Sequence, residues 1–507
     1  LPGGGSPISI DAIDEIQVVI APFDVRQANF IGGGMNAITK SGTNTFKGSA
    51  YVYHTNENMR GDKAGETVVS GARDKDRNTT YGFTLGGPII KDKLFFFVNF
   101  EYSKTPTVVN RWRASEDGVM DKDAYISRTK IEDMKKVQDY LMKNYGYDTG
   151  SYTDFPAQET NTKMLARIDW NINDNHHLAV RYNYTLNQSW TATNRSSGNM
   201  VRRASGDRLS QYGMAFANSI YSTDNLVHSF AFDLNSRFSN NLSNQLLVTF
   251  SKLDDVRGSS SDKFPFIDIL HAGDYAAGKI MPYISAGYEL FTWNNGVHNN
   301  VLNIKDDITY FTGNHKITAG LTYEYQMADN AYMRNGTGYY RYARVDDFIN
   351  GAAPEVVCLT YGYDGEKNPA ARVQFHKAGL YAQDEWNATD AFKLTYGLRL
   401  DGLFFDNSDL MTNNKILALE YLDENGKVRN IDTGKWPTAN VTVSPRIGFS
   451  WNVLGDNSLK VRGGTGLFSG RLPLVFFTNM PTNSGMVQYQ AKLNGDGKNG
   501  GTKVDMN

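Results

Sequence analysis

Residues 163–187 read KMLARIDWNINDNHHLAVRYNYTLN, two alternating runs of apolar and polar side chains joined by a short polar turn. In the first run Met164 and Ile168 share one face, while Arg167 and Asp169 share the other. A tilted membrane strand of about ten residues needs this alternation, because one side meets lipid and the other a wet lumen. The sequence here therefore predicts one hairpin of a transmembrane antiparallel β-barrel.

The same unit recurs along the chain, with very short turns alternating with long polar excursions. The short turns are 173–175, 239–241, 312–314, 387–390 and 455–457. The long excursions are 57–77, 105–160, 189–210, 255–298, 329–372 and 406–441. Short turns at one end and long loops at the other are typical of a barrel in the bacterial outer membrane.

The alternating segments predict about thirteen strands, whereas a complete barrel with a plugged lumen has about 22. The predicted spans are 46–56, 78–88, 93–104, 161–172, 176–188, one strand within 211–238, 243–254, 299–311, 315–328, 373–387, 391–405, 442–454 and 457–470. A barrel in lipid has to close, because an open edge leaves backbone groups without hydrogen bonds. We therefore expect the sequence to be a fragment with both ends missing.

A soluble antiparallel sandwich is the alternative fold, since its strands also alternate. Sandwich strands are typically shorter, about five or six residues. In addition, Trp170, Trp386 and Trp451 each lie a few residues before a short turn, on or near the apolar face. An aromatic girdle at one membrane interface accounts for that register, so the pattern favours the barrel.

Composition argues against several other classes of protein. The mean hydropathy is −0.46, and no run of about 18 apolar residues is present that would form a membrane-spanning helix. The net charge of −2 gives no electrostatic footprint for nucleic acid. Cys358 is the only cysteine, which excludes an intrachain disulfide and argues against a cysteine-based metal site. No catalytic constellation is recognisable, so we expect no enzymatic activity, no cofactor and no metal site.

Three motifs carry a more specific resemblance. They are Pro22-Phe23-Asp24-Val25-Arg26, Gly32-Gly33-Gly34-Met35-Asn36 and LGGPIIKDKLFFF at 85–97. Together they resemble the end of the plug domain and the first barrel strands of TonB-dependent outer-membrane receptors. The similarity is to the Oar-like branch, whose members often carry a carboxypeptidase-regulatory-like domain. The chain departs from the family pattern at Gln17, where the family has Glu, and at Ile20-Ala21, which replace Arg-Gly before Pro22.

The resemblance implies a domain division and a mode of action. Residues 1–45 would be the C-terminal part of the plug, and residues 46–507 the N-terminal part of a barrel in the cell outer membrane. The barrel would take up a substrate, peptidic or otherwise large, driven by the TonB–ExbB–ExbD complex acting on a missing N-terminal segment. Outer-membrane lipids and a surface lipoprotein or another outer-membrane protein are the further expected partners. An adhesin or structural surface protein anchored by the barrel remains the alternative.

The long loops are rich in aromatic residues beside arginines, which favours the binding of peptides or other large surfaces. The predicted substrate-binding residues are Trp293, Tyr339, Tyr340, Arg341 and Tyr342. Loop–loop packing that holds the outer mouth together is the alternative role for each of them.

Two further expectations concern the lumen and one loop. The polar lumen-facing residues are expected to hydrogen-bond to the plug or to be solvated; they are Arg167, Asp169, Arg181, Glu324, Arg399 and Asp401. Segment 129–146 is predicted to be a helix that begins with a capping box from Thr129 to Glu132 and ends at Gly146.

Overall fold

In the computed structural model, an antiparallel sheet of 13 strands forms most of the protein. The structure describes residues 7–20, 23–29, 33–59, 61, 63–65, 67–68, 77–155, 157–195, 207–274, 280–406, 409–470, 475–483 and 486–494. A two-stranded hairpin, β1 (Ile13–Ile20) and β2 (Gly33–Thr39), precedes the sheet. The sheet strands are β3 (Lys47–Thr55), β4 (Asn78–Ile90), β5 (Leu94–Pro106), β6 (Gln158–Asn173), β7 (His176–Thr191), β8 (Tyr221–Arg237), β9 (Leu242–Gly258), β10 (Asn295–Thr312), β11 (His315–Tyr332), β12 (Ala371–Asn387), β13 (Phe392–Asp406), β14 (Asn440–Asn452) and β15 (Lys460–Gly466).

The sheet order follows the chain order from β3 to β15, and every neighbouring pair is antiparallel. Each predicted span overlaps one of these strands, so the predicted fold class and strand count are confirmed. Within the described residues β3 and β15 are the two edges, and the sheet is open between them. No helix in the described part of the chain combines the length and the apolarity needed to cross a bilayer.

The predicted alternation of apolar and polar side chains along the strands is present in the structure. In the β6–β7 hairpin Arg167 lies opposite Arg181, and Trp170 lies opposite Leu178. Trp170 is 39 % exposed on the outer face, whereas the neighbouring Asp169 is only 4 % exposed on the lumen side. Since side chains alternate between the two faces of a strand, one face of the hairpin is apolar and the other polar.

Outward-facing aromatic residues mark two levels on the sheet. Trp170, Trp386 and Trp451 lie close to the short turns with their rings exposed. Toward the long loops, the Tyr323 hydroxyl lies 2.8 Å from Nδ1 of His376 on the same outer face. Trp386 and His376 are about ten positions apart on β12, roughly 33 Å along the strand and about 25 Å along the axis of a tilted barrel. That spacing matches the apolar band of an outer-membrane barrel.

Parts of the long excursions, together with two short segments outside them, form a second sheet of six short strands, here termed the loop sheet. Its strands are Met214–Ala215, Phe266–Leu270, Pro282–Ala286, Tyr339–Tyr342, Val356–Gly362 and Gln488–Asn494. Three smaller strand pairs are Lys63–Ala64 with Thr67–Val68, Arg113–Ser115 with Ile126–Lys130, and Tyr421–Leu422 with Val428–Arg429. The helices are α1 (Ile131–Tyr145), α2 (Val345–Ile349), α3 (Asn414–Leu417) and α4 (Val475–Asn483), with 3₁₀ turns at Ile10–Ala12, Glu57–Met59, Ala217–Ser219 and Tyr363–Gly365.

Helix α1 confirms the predicted helix but not its predicted start. The N-cap residue is Lys130, which makes no side-chain cap bond, and the helix ends at Gly146 in the left-handed conformation. Thr129 does not cap the helix because its hydroxyl donates to the Tyr283 carbonyl at 2.8 Å. The Tyr283 hydroxyl accepts from the Lys130 N–H at 2.9 Å instead. The capping box was therefore a wrong prediction, since tertiary contacts with the loop sheet replace it.

Candidate functional site

The N-terminal residues lie against the lumen face of the large sheet, and we term the described part of 7–40 the inner segment. Ser9 Oγ donates a hydrogen bond to Glu101 Oε2 at 2.6 Å. Near the other end, Arg167 Nη1 donates to the Thr39 carbonyl at 2.9 Å. The inner segment is therefore attached to the wall of the sheet on the side that faces away from lipid.

The turn around Val25 is held by two arginines of the wall. Arg446 Nη1 donates to the carbonyl of Asp24 at 2.7 Å and to the carbonyl of Gln27 at 2.8 Å. Arg399 Nη1 donates to the carbonyl of Val25 at 3.2 Å. All three bonds go to main-chain oxygens, so they fix the path of the turn. Charge-assisted hydrogen bonds of this kind contribute about 1.5–3 kcal/mol each.

Side chains of the same turn also fit the wall. Phe23 packs against two glycines, Gly448 on β14 and Gly464 on β15; a Cβ atom there would lie 3.1 Å and 2.8 Å from atoms of its ring. Val25 is fully buried, and its N–H donates to Gln383 Oε1 at 2.9 Å. Because the two glycines have no side chains, they leave the space that the Phe23 ring occupies.

A carboxylate orients each of two arginines that reach the inner segment. Asp401 accepts from Arg399 Nε at 2.8 Å and from Nη2 at 2.7 Å, and both side chains are buried. Asp169 accepts from Arg167 in the same two-bond manner, at 2.8 Å and 2.7 Å. Both pairs have the form Arg-x-Asp on one strand, with the remaining Nη1 directed at a carbonyl. We term these two pairs the Arg-x-Asp clamps.

The expectation that polar lumen residues contact the inner segment is confirmed for three of the six. Arg167 and Arg399 make the bonds described above, and Glu324 Oε2 accepts from Asn29 Nδ2 at 3.1 Å. Asp169 and Asp401 act through their arginines. Arg181 lies opposite Arg167 in the register of β6 and β7.

The motif residues of the inner segment divide between the turn and β2. Asp24 and Arg26 form an ion pair with each other at 2.5 Å. Gly33, Gly34 and Asn36 lie on β2, where Asn36 is opposite Gln17 of β1. Pro22 and Gly32 lie outside the described residues.

Two of the five predicted substrate-binding residues are fully buried in the loop sheet. Tyr339 and Arg341 belong to the same short strand, and neither side chain is exposed. The Tyr339 hydroxyl donates to Asp268 Oδ2 at 2.7 Å. In this conformation both side chains serve the packing of the loops.

The other three predicted residues reach the surface in part. Tyr340 and Tyr342 are half-buried against a core that includes Phe348 of α2. Trp293 is also half-buried, and Lys263 Nζ lies over its ring, 3.8 Å from the ring centroid. Contact of these three residues with a substrate stays a prediction.

A buried ion pair at the loop sheet was not predicted from the sequence. Arg208 Nη2 lies 2.7 Å from Asp268 Oδ2, and both side chains have no exposed surface. Ser285 and Tyr339 donate two further hydrogen bonds to the Asp268 carboxylate. Burial alone would raise the pKa of Asp268, but the charge and hydrogen bonds of Arg208 outweigh it and lower the pKa. The partners are 60 positions apart in separate loops, so no local pattern signals the pair.

Glu289 is a second buried acid in the long loops and gives a testable prediction. Its Oε2 accepts from the Phe291 N–H and from Thr292 Oγ1, while Oε1 has no partner among the described residues. Burial raises the pKa of Glu289 above that of an exposed glutamate. The ionised form is therefore disfavoured in the folded loops, and their stability falls as pH rises through the range between the unfolded and the folded pKa.

We expect Glu289→Gln to stabilise the loop sheet at neutral pH by about 1 kcal/mol, because it keeps the shape and removes the buried charge. Amide hydrogen exchange of Phe266–Leu270 at acidic and at neutral pH measures this. Protection should depend on pH less in the variant than in the wild type. An unchanged pH dependence would show that another group titrates.

The described residues contain no group of three or more His, Cys, Asp or Glu side chains arranged to hold a metal ion.

The family model described as an outer membrane beta barrel domain matches residues 38–112 and 126–505. The TonB-dependent transporter Oar of Myxococcus xanthus is 28 % identical over 189 residues, which are 36 % of this chain and 16 % of Oar.

Two solved structures share the fold at low sequence identity. The outer membrane transporter YddB of Escherichia coli is 13 % identical with a TM-score of 0.55, covering 92 % of this chain and 48 % of YddB. The unliganded ferric citrate transporter FecA is 12 % identical with a TM-score of 0.50, covering 96 % of this chain and 54 % of FecA. The chain thus spans about half the length of these two transporters.

Proposed function

Because the chain belongs to the family of outer membrane β-barrel domains and therefore lies in the outer membrane, we propose that it is part of a TonB-dependent transporter. It would take up a substrate through a barrel whose lumen is plugged. The similarity to Oar and the fold shared with YddB and FecA support the proposal.

In this proposal residues 1–45 are the C-terminal part of the plug and residues 46–507 belong to the barrel. The observation that carries it is the pair of Arg-x-Asp clamps, through which Arg167 and Arg399 hold carbonyls of the inner segment. These contacts are hydrogen bonds, each of which contributes only a few kcal/mol. A plug held in this way stays in place at rest and yields to a pulling force.

The TonB–ExbB–ExbD complex would supply that force through an N-terminal segment upstream of the given residues. Pulling would break the bonds of the inner segment to the wall and open a path along the polar lumen. Since the clamps lie on β6 and β13, at well-separated places in the sheet, partial release at one of them leaves the other intact.

The substrate would first meet the long loops, where Trp293, Tyr340 and Tyr342 are partly accessible. A peptidic or otherwise large substrate suits aromatic side chains beside arginines. Lipids of the outer membrane surround the sheet, and a surface lipoprotein or another outer-membrane protein is the further partner. The substrate passes through chemically unchanged, so the protein is not an enzyme.

The test uses the full-length protein in cells and a fluorescent oligopeptide mixture as the probe. Deleting the upstream TonB-contacting segment should abolish accumulation of the probe inside the cells while surface binding persists. Accumulation that continues without this segment would overturn energy-dependent transport.

The same experiment separates the alternative, an adhesin or structural surface protein that uses the barrel as its anchor. In that case the intact protein neither accumulates the probe nor responds to the deletion. Loss of cell–cell or cell–surface adherence on removal of the whole protein would then identify its role.

A further inference from the structure

Three side chains of different chemistry meet on the lumen face, just after the turn around Val25. Lys377 Nζ donates a hydrogen bond to Asn29 Oδ1 at 2.5 Å. Glu324 Oε2 accepts a hydrogen bond from Asn29 Nδ2 at 3.1 Å. The carboxamide of Asn29 therefore has an amine at its oxygen and a carboxylate at its nitrogen. We term these three residues the amide triad.

The large sheet fixes the positions of the amine and the carboxylate. Glu324 and Lys377 lie directly opposite each other in the antiparallel register of β11 and β12, so their side chains leave the same face from adjacent points. Glu324 is 5 % exposed, and Lys377 is half-buried. The two strands therefore present both groups together to the residue that the inner segment places between them.

The main chain of the inner segment fixes Asn29 in turn. Its φ angle is 63°, in the left-handed region that asparagine enters more readily than most residues with a side chain. Asn29 also forms an isolated β-bridge with Gly470, which follows the last strand of the large sheet. The amide of an asparagine turns easily about its last torsion angle, so a small rotation brings Asn29 Cγ toward the amine.

A cavity of about 160 Å³ adjoins the amide triad and is apolar in part. Its apolar lining residues are Phe375, Leu403, Phe405 and Phe477. Among the described lining residues Asp401 is the one further charged group, and it is paired with Arg399. Charged groups lose hydration in such surroundings, so a proton transfer that leaves an amine and a carboxylic acid uncharged becomes less costly there. The cavity also leaves room for a small product.

We propose that the amide triad forms an isopeptide bond between Asn29 and Lys377. Glu324 takes one proton from the Lys377 ammonium, and the uncharged amine attacks Asn29 Cγ. The bond from Nζ to Cγ forms, Glu324 returns its proton to Nδ2, and the bond from Cγ to Nδ2 breaks. The leaving ammonia takes one further proton from Nζ and departs as ammonium. Atoms and charge balance without an oxidant or any other reactant.

Other lysines of the lumen face meet groups that cannot react in this way. Lys163 Nζ lies 2.9 Å from Glu101 Oε1, and Lys305 Nζ lies 3.0 Å from Asp307 Oδ2. A carboxylate repels a nucleophile because it already carries a negative charge, so these contacts remain ion pairs. The amide triad differs in that the lysine meets an uncharged carboxamide.

The cross-link has a consequence for transport that rests on the proposed function, although the cross-link itself does not. It would divide the inner segment at Asn29. A pull from the N-terminal side would release the turn around Val25 but would end at a covalent bond to the wall. Thr39 would keep its bond to Arg167, because no force would reach it. The position of Asn29 would thus set how much of the plug leaves the wall.

The test is peptide mapping by mass spectrometry of the full-length protein purified from outer membranes, which needs neither a substrate nor TonB. From a chain without the cross-link, trypsin releases residues 27–40 and 373–377 as separate linear peptides. From the cross-linked chain we expect one branched peptide that joins 27–40 to 373–393, because trypsin does not cleave after an acylated lysine. Its mass should be lower than the sum of the two linear parts by one molecule of ammonia.

Two variants should abolish the branched peptide. Lys377→Arg removes the amine, and Glu324→Gln removes the group that carries the proton. Lys163→Arg is the matched control, the same change at another lumen lysine, and should leave the branched peptide intact. Heat-modifiable migration in gels establishes that each variant is folded before the peptides are compared.

Only linear peptides from the folded wild-type protein, with Asn29 either intact or hydrolysed to aspartate, would overturn the cross-link. A branched peptide that persists in Glu324→Gln would overturn the role of Glu324 in its formation. If the branched peptide is present but energy-dependent uptake is not, the proposed function alone fails. Uptake without the branched peptide would refute the cross-link and leave the proposed function standing.

Discussion

Replacing Arg399 by alanine is expected to lower the free energy of unfolding by about 3–5 kcal/mol, because Asp401 then remains as a buried charge without its partner. The substitution also removes the bond to the Val25 carbonyl, so the turn of the inner segment loses an anchor. Urea unfolding of the full-length protein in lipid vesicles measures the first effect. Amide hydrogen exchange of residues 23–27 measures the second.

The double variant Arg399→Met/Asp401→Leu separates the two effects. It removes both charges at similar volume and should regain most of the stability. Amide exchange of residues 23–27 should be faster than in the wild type in both variants, because neither variant has a side chain at position 399 that donates to the Val25 carbonyl. Equal losses of stability in the single and the double variant would contradict the buried-charge argument, and slow exchange in both would contradict the clamp.

Replacing Arg208 by alanine is expected to destabilise the loop sheet by about 3–5 kcal/mol for the same physical reason. Asp268 would keep the hydrogen bonds from Ser285 and Tyr339 but lose the charge that compensates its own. Limited proteolysis of whole cells should cut the outer loops much faster in the variant. The strands of the large sheet should remain protected, since they are held by their own hydrogen-bond ladder.

The pH dependence of the loops provides a second readout of this pair. The pKa of Asp268 is lowered in the folded loops, so its contribution to stability is complete above the unfolded pKa of about 3.9 and is lost as pH falls through the folded value. The variant Arg208→Met/Asp268→Leu should lack this acid-side loss. If it loses protection on acidification as the wild type does, other acids control the loops.

The fold was predictable from sequence where lipid imposes alternation. Trp170 and Asp169 show why. These adjacent residues face lipid and lumen respectively, so apolar and polar side chains have to alternate along the strand. Strand ends were less predictable toward the long loops. β9 continues to Gly258, four positions past its predicted end, and its outward residues there include Lys252 and Asp254. Beyond the bilayer both faces of a strand are polar, so the alternation disappears while the hydrogen-bond ladder continues.

The resemblance to TonB-dependent receptors of the Oar-like branch is confirmed by the relative Oar and by the shared fold. The arginines Arg167 and Arg399 were expected at the lumen face, but their bonds to the carbonyls of Thr39 and Val25 depend on the path of the inner segment, which the sequence does not place. Arg446 was missed altogether, although its inward position follows from the same alternation. The Arg-x-Asp spacing was a usable signal, because residues two apart on a strand share a face.

The loops show the limit of sequence reasoning. Tyr339 and Arg341 were selected for their chemistry as ligand contacts, yet both are enclosed by strands that come from distant excursions. Nothing in the neighbouring residues distinguishes them from Tyr340 and Tyr342. Burial in loops is decided by long-range contacts, so residue type alone does not assign a role there.

The distance between the two aromatic levels on the outer surface has a consequence for where the protein resides in the cell. A band of about 25 Å is shorter than the average bilayer core of about 30 Å. In a membrane of average thickness the acyl chains would have to compress around the sheet, at a modest energetic penalty for each ångström of hydrophobic mismatch. The bacterial outer membrane is thinner than average, so lipid thickness itself favours retention there over the inner membrane.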